Sequence, residues 1–465
     1  MQVQNYVVIN AIEPYNGFRG DEMYRNAMAD LYKWKEKKNK KPLVIRGARQ
    51  VGKTWLMKKF GETAYSVTVY INFDNNQQMR ELFETDLKTD RIITGLELYS
   101  GNKINAEDTL LIFDEVQEVP KALTALKYFN ENAPEYQIIC AGSLLGVALH
   151  QGTSFPVGKV EFMDLYPLSF SEFMRAMGKE RFVELMQKRD FELATKFKQE
   201  YIELLKYYYY VGGMPEVVSN FAENMDFNEA REIQERILMA YEQDFSKHAP
   251  NEVVPRIRML WNSIPSQLTK ENKKFVYGLI KEGSRAKEYE MAMLWLIDCG
   301  LVHKVKRVKT PNMPLKAYED LKAFKLFILD VGLLSCMTRL NQSVLLDGNG
   351  LFKEFKGALT EQYVLQQLVT LPRMETYYWT NNRGSAEIDF LIAADGKIVP
   401  MEVKAETNLK AKSLKAFYEK FSPPFSVRTA MADYKIEEWL LNIPLWAIEV
   451  LENEIKMLTS TTRNN

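Results

Sequence analysis

Apolar residues follow two rhythms along this chain. Nearly unbroken apolar runs occur at Leu43-Val44-Ile45, Val67 to Phe73, Thr109-Leu110-Leu111-Ile112-Phe113 and Gln137-Ile138-Ile139-Cys140-Ala141. Runs without strict polar alternation suit strands covered on both faces, as in a parallel sheet. Between and after them the spacing turns helical. Met23, Ala27, Leu31 and Trp34 share one face of Asp21 to Lys38, and Arg181 to Tyr210 reads as a long helical stretch ending in four tyrosines. Those tyrosines are expected to pack in the core and at its rim. Val160 to Met174 reads as loop and then helix. The last region, from about Gly350, is a separate unit. Leu359, Tyr363, Val364 and Leu368 mark a helix, and strands are expected at Tyr377-Tyr378-Trp379, Ala386 to Ile392 and Ile398 to Ala405. An α/β protein follows.

The first run breaks into Gly47-Ala48-Arg49-Gln50-Val51-Gly52-Lys53-Thr54. The spacing G-x-x-x-x-G-K-T, with a strand before and a helix after, is a phosphate cradle. The two glycines free the backbone, so that amides from Gln50, Val51 and Gly52 onward turn toward phosphate oxygens at the N-terminus of a helix opening near Trp55. Lys53 would reach the β/γ-phosphates and Thr54 would offer its hydroxyl to Mg²⁺. About sixty residues on, the third run ends in Asp114-Glu115. There Asp114 suits the Mg²⁺ shell, and Glu115 suits polarising the attacking water. The fourth run ends in Gly142-Ser143, where Ser143 either senses the γ-phosphate or simply caps a turn. ATP and Mg²⁺ are therefore the expected cofactors.

Length and charge narrow the rest. At 465 residues the chain should hold about three domains. Its 61 Lys+Arg equal its 61 Asp+Glu, so any nucleic acid must be met by a local patch. Cys140, Cys299 and Cys336 lie among apolar neighbours without C-x-x-C spacing, which points to buried packing and a reducing cytoplasm. No targeting or membrane segment is visible. The basic run Lys37 to Lys41 reads as a solvated helix end.

Between Val253 and Thr310 there are twelve Lys/Arg against five Asp/Glu. Helices at Lys270 to Lys281 and Arg285 to Cys299, then a short β segment at Leu301 to Val308, suggest a winged helix. Arg285 and Lys287 would open its second helix, with Lys304, Lys306 and Arg307 on the wing, making DNA a candidate partner and a lid on an ATPase the alternative. In the tail, Glu402-Val403-Lys404 would share a strand face at positions 402 and 404. With Asp389 and the helical Glu361, they could bind Mg²⁺ and orient a water for phosphodiester hydrolysis, or be a solvated charged pair.

Taken together, Gly47 to Thr54, Phe113-Asp114-Glu115-Val116-Gln117, Ala141-Gly142-Ser143, Pro167-Leu168-Ser169-Phe170-x-Glu172-Phe173 and Gly212-Gly213-x-Pro215-Glu216 resemble the bacterial and archaeal AAA-type ATPases that carry a C-terminal domain of unknown function. The tail, with Phe324 to Leu334, Ala386 to Phe390 and Glu402 to Ala405, is similar to the PD-(D/E)xK restriction-endonuclease-like fold. The resemblance implies Lys53 and Thr54 at phosphate and Mg²⁺, Asp114 at Mg²⁺, Glu115 as base, Ser143 as sensor, and Pro215 beside the adenine. Members commonly carry Gly-Arg after the sensor loop, where this chain has Gly158-Lys159. The implied order is a P-loop NTPase parallel sheet with its N-terminal helix (1–210), a helical lid (211–252), a winged-helix domain (253–345) and a restriction-endonuclease-like α/β domain (346–465). The expected function is a Mg-ATP-dependent switch, with an ATP-regulated nuclease or a nucleotide-gated binding module as alternatives. Oligomeric state and any arginine finger are left open.

Overall fold

In the computed structural model the described residues are 23–142, 156, 158–270, 273–343, 353–381, 386–394, 396–405 and 412–461. The first unit is a five-stranded, all-parallel sheet of β1 (Leu43–Arg46), β2 (Val67–Asn72), β3 (Thr109–Asp114), β4 (Gln137–Ala141) and β5 (Glu161–Asp164), in the order β2-β3-β4-β1-β5. Successive side chains alternate faces, and both faces are apolar. Leu43, Ile45, Leu110, Ile112 and Ile139 enter one core, while Val44, Leu111, Phe113, Ile138 and Cys140 enter another. The edge strand β5 falls in Val160 to Met174, where the sequence suggested a loop. It is only four residues long and has alternating partial burial, so no apolar run announces it.

Helices Ala27–Glu36 and Lys53–Ala64 agree with the helical spacings. Arg181 to Tyr210 instead splits into Glu180–Gln187, Phe191–Lys196 and Lys198–Val211. Arg189 takes a left-handed φ of 60° and the Asp190 carboxylate accepts the Leu193 N–H, so a new helix starts there. Tyr208, Tyr209 and Tyr210 are buried, and Cys140, Cys299 and Cys336 are free and buried.

The second unit is one mixed sheet, ordered β12-β13-β11-β10-β9-β8-β6-β7. It contains β6 (Val302–Val308), β7 (Glu319–Ile328), β8 (Glu375–Thr380), β9 (Glu387–Ala394), β10 (Lys397–Val403), β11 (Ser426–Ala430), β12 (Lys435–Ile436) and β13 (Leu440–Pro444). β6 pairs antiparallel with β7 and parallel with β8, so the sheet runs without a break across the expected boundary at 345/346. Helix Lys353–Leu368 joins the two halves of the molecule.

The helix expected at Lys270 to Lys281 does not form; its described residues hold only a short 3-10 turn, Tyr277–Leu279. The Phe275 N–H bonds to Phe324 O of β7, and Val276 exchanges both hydrogen bonds with the Gln267 side chain. With Phe275 stacked on Phe324, this backbone is committed to an extended path. Helix Ala286–Asp298 and β6 lie where helix and wing were expected. The wing cations are spoken for: Lys306 pairs with Glu319, Arg307 with Asp320, and Lys304 lies 4.2 Å from the Phe324 ring centroid. No helix among the described residues is long and apolar enough to cross a membrane.

Candidate functional site

The end of β1 turns into a loop whose conformation depends on its glycines. Gly52 has φ of 92° and Gln50 φ of 67°, values that let the chain curl before helix Lys53–Ala64 begins at Lys53. Lys53 is buried. Its ammonium donates to the carbonyls of Gly47 at 2.9 Å and Ala48 at 2.7 Å, both in its own loop. Burial lowers its pKa to about 8 against the opposing pull of Glu115 and Asp114. An anion arriving at the loop would reverse that shift.

β3 delivers the acids. The Thr54 hydroxyl donates to Asp114 Oδ2 at 2.6 Å, and the Tyr70 hydroxyl on β2 donates to the same oxygen at 3.0 Å. The hydroxyl and the carboxylate are hard oxygen donors side by side, a set that fits Mg²⁺. Glu115 has a left-handed φ of 50°, and Gln117 Nε2 donates to its Oε2 at 2.6 Å. Trp55 and Val51 flank this loop, Trp55 partly exposed and Val51 buried. Ser143 lies outside the described residues.

Distant segments grip the loop from outside. Arg25 donates to Val51 O at 2.8 Å and Tyr166 O at 2.7 Å while pairing with Glu172 at 3.1 Å. The Tyr241 hydroxyl donates to Arg49 O at 2.9 Å, and Asp244 pairs with the Arg49 side chain at 2.6 Å. A Cβ on Gly52 would stand 3.5 Å from Pro215 Cγ, so the Gly212–Pro215 turn lies next to the cradle. A cleft of about 760 Å³ flanks the Ala48 side, with Gly300, His303 and Lys304 also in its lining. Lys159, by contrast, pairs with Glu131 at 2.8 Å. None of Arg25, Tyr70, Tyr241 and Asp244 belongs to a recognisable spacing, which is why sequence reasoning passed over them, and Gln117 stood in a recognised stretch without being given a role.

The tail residues gather differently. Asp389 Oδ2 accepts the Val403 N–H at 2.8 Å, which ties β9 to β10. Lys404 Nζ lies 2.6 Å from Glu402 Oε1, the shared face expected of positions two apart. Glu361, however, is bound by Lys273 and lies 3.6 Å from Lys325, whose ammonium is also 2.5 Å from Glu387. Lys325 is wholly buried. Burial alone would raise the Glu361 pKa, but Lys273 and Lys325 outweigh it and hold it below the ordinary value. Asp389 goes the other way: burial and then Glu361 push it up to about 7. Among the described residues no group of three acids or other ligands is placed to hold a metal. Lysines already answer two of these carboxylates, Lys273 and Lys325 at Glu361 and Lys404 at Glu402 Oε1.

Residues 39–174 match a family model described as an AAA domain. This unit is therefore similar to AAA domains. Two further models, both domains of unknown function (DUF8612 and DUF4143), match residues 202–344 and 356–448. Among solved structures, the chain is similar to the Walker-type ATPase of Pyrococcus abyssi at 15% identity and TM-score 0.43, covering 70% of this chain and 99% of that one. It is also similar to the Aeropyrum pernix Orc1 protein, solved in complex with DNA, at 12% identity and TM-score 0.28, covering 69% and 94%. Cdc6p from Pyrobaculum aerophilum follows at 11% and 0.26, covering 67% and 92%. No match was found among curated proteins.

Proposed function

We propose that the chain is a Mg-ATP-dependent switch in which the AAA domain controls a non-catalytic C-terminal module. The observation that carries this reading is the 2.6 Å contact between Thr54 and Asp114 beside a buried Lys53 whose hydrogen-bond partners among the described residues are neutral carbonyls. Lys53 moves from those carbonyls to the β/γ-phosphates, where its charge is answered. Thr54 and Asp114 would hold Mg²⁺, which would supply charge neutralisation at the phosphates. Glu115, released from Gln117, orients the attacking water and accepts its proton. Pro215 packs beside the base.

For the tail, the buried Lys325 supports a binding module over a nuclease. The internal pairing of Lys306 and Arg307 argues against a DNA-binding wing. ATP turnover by the purified chain tests the core. Lys53→Ala and Glu115→Gln should each lower it by at least about a hundredfold; unchanged turnover in both would remove the assigned roles. Cleavage of DNA or RNA with Mg²⁺ or Mn²⁺ that is lost in Asp389→Ala would overturn the reading of the tail.

A further inference from the structure

The turn beside the cradle is held by the other half of the chain. Asp330 is wholly buried at the start of helix Val331–Met337, where its Oδ1 accepts the Leu333 N–H at 2.9 Å. A helix start needs one such acceptor, and Ser169 serves that purpose elsewhere in this chain. Asp330 has a second oxygen, and it faces away from its own helix. Oδ2 accepts the Gly213 N–H at 2.6 Å and Gln366 Nε2 at 2.9 Å. Gly212, with φ of 75°, lies so close that a Cβ there would meet Asp330 Oδ1 at 2.1 Å. On its other side the turn is fixed by Leu168 N–H bonding to Gly213 O at 2.6 Å.

The Asp330 contact continues inward. Gln366 also donates to the Tyr208 hydroxyl at 2.9 Å and accepts the Val331 N–H at 2.8 Å. Its neighbour Gln367 accepts the Phe170 N–H of the AAA unit at 2.8 Å. Gln362 holds both polar groups of Ile328, and Glu361, on the same helix, enters the lysine cluster. One helix therefore carries both Gln366, which binds Asp330, and Glu361, which enters the charged cluster five residues earlier.

We propose that Asp330 is a positioning residue for the nucleotide, acting through the Gly213 amide to hold Pro215 against Gly52, with Gln366 linking that position to the C-terminal sheet. The proposal rests on the nucleotide reading above. Nucleotide binding and the placement of helix Lys353–Leu368 are then coupled in both directions. A carboxylate is required because every group facing it is a donor. Asparagine would turn an amine toward one of them.

The test is ATP hydrolysis by the full chain carrying Asp330→Asn or Gln366→Ala, with circular dichroism to follow folding. Asp330→Asn is expected to raise KM for ATP about tenfold or more, the loss of one hydrogen bond to a charged group, with kcat changed less than about threefold. Gln366→Ala should raise KM by a smaller factor of about two to five. An unchanged KM in Asp330→Asn overturns the proposal, and a fall in kcat alone would mark Asp330 as structural. Should Asp330→Asn fail to fold, Gln366→Ala decides: an unchanged KM there overturns the proposal. Wild type that fails to bind ATP would instead remove the nucleotide reading, whereas Lys53-dependent binding with wild-type KM in both variants removes only this inference.

Discussion

Two buried lysines in this molecule face acids in opposite ways. Lys53 in the AAA unit donates to two backbone carbonyls, and Asp114 beside it receives only hydroxyl and amide donors. Lys325 in the C-terminal sheet lies directly on Glu387 and near Glu361, which Lys273 also binds. In the first arrangement, among the described residues, neither the cation nor the anion is hydrogen-bonded to an opposite charge. The second cancels its charges internally. The same residue types thus make a receptive site in one place and a charge-neutral core in the other. Solvation explains the difference, because a buried charge is tolerable only if it is paired or if a ligand is to pair it.

The contrast breaks if removing either lysine has the same consequence. Lys325→Ala leaves Glu361, Glu387 and Asp389 crowded without their central cation. We expect a loss of about 3–5 kcal/mol in stability by denaturant unfolding. Lys53→Ala removes a charge that burial already disfavours, and should change stability by less than about 1 kcal/mol while abolishing turnover. Equal destabilisation would refute the distinction.

A smaller effect sharpens it. The free-state pKa of Lys53 is about 8, and bound phosphate favours the protonated form. Above pH 8, ATP binding must therefore be accompanied by proton uptake. Affinity should fall as pH rises from 8 to 10, by up to about tenfold per unit. The ATP-free protein shows the reverse sign: with the folded pKa below the unfolded one, this group's penalty is relieved as pH rises from 8 toward its ordinary value of 10.5. Calorimetric titration at several pH values checks the first trend, and loss of the second in Lys53→Met checks its source.

The legible parts of the chain were those where function and local pattern coincide. Four strands of the AAA sheet and the cradle from Gly47 to Thr54 could be read because apolar runs and glycine spacing are local properties. Glu402 and Lys404 do meet, at 2.6 Å, although Lys404 stands one residue past the end of β10. The lysine cluster was not legible. Lys273 and Lys325 are far in sequence from Glu361 and Glu387, and only the joining of β6 and β7 to β8 brings them together. The same pairing turned an expected wing into part of a larger sheet. Asp330 stood within a recognisable stretch, but its reach to Gly213 depends on two helices meeting.

Metal counting tests the central claim most directly. Mn²⁺ binding followed by electron paramagnetic resonance should reveal no tight site in the nucleotide-free chain and one per chain once ATP is added, lost in Asp114→Ala and unaffected by Asp389→Ala. A tight site present without ATP, retained in Asp114→Ala and abolished in Asp389→Ala, would contradict the account by showing that the lysine-filled cluster is a metal centre after all.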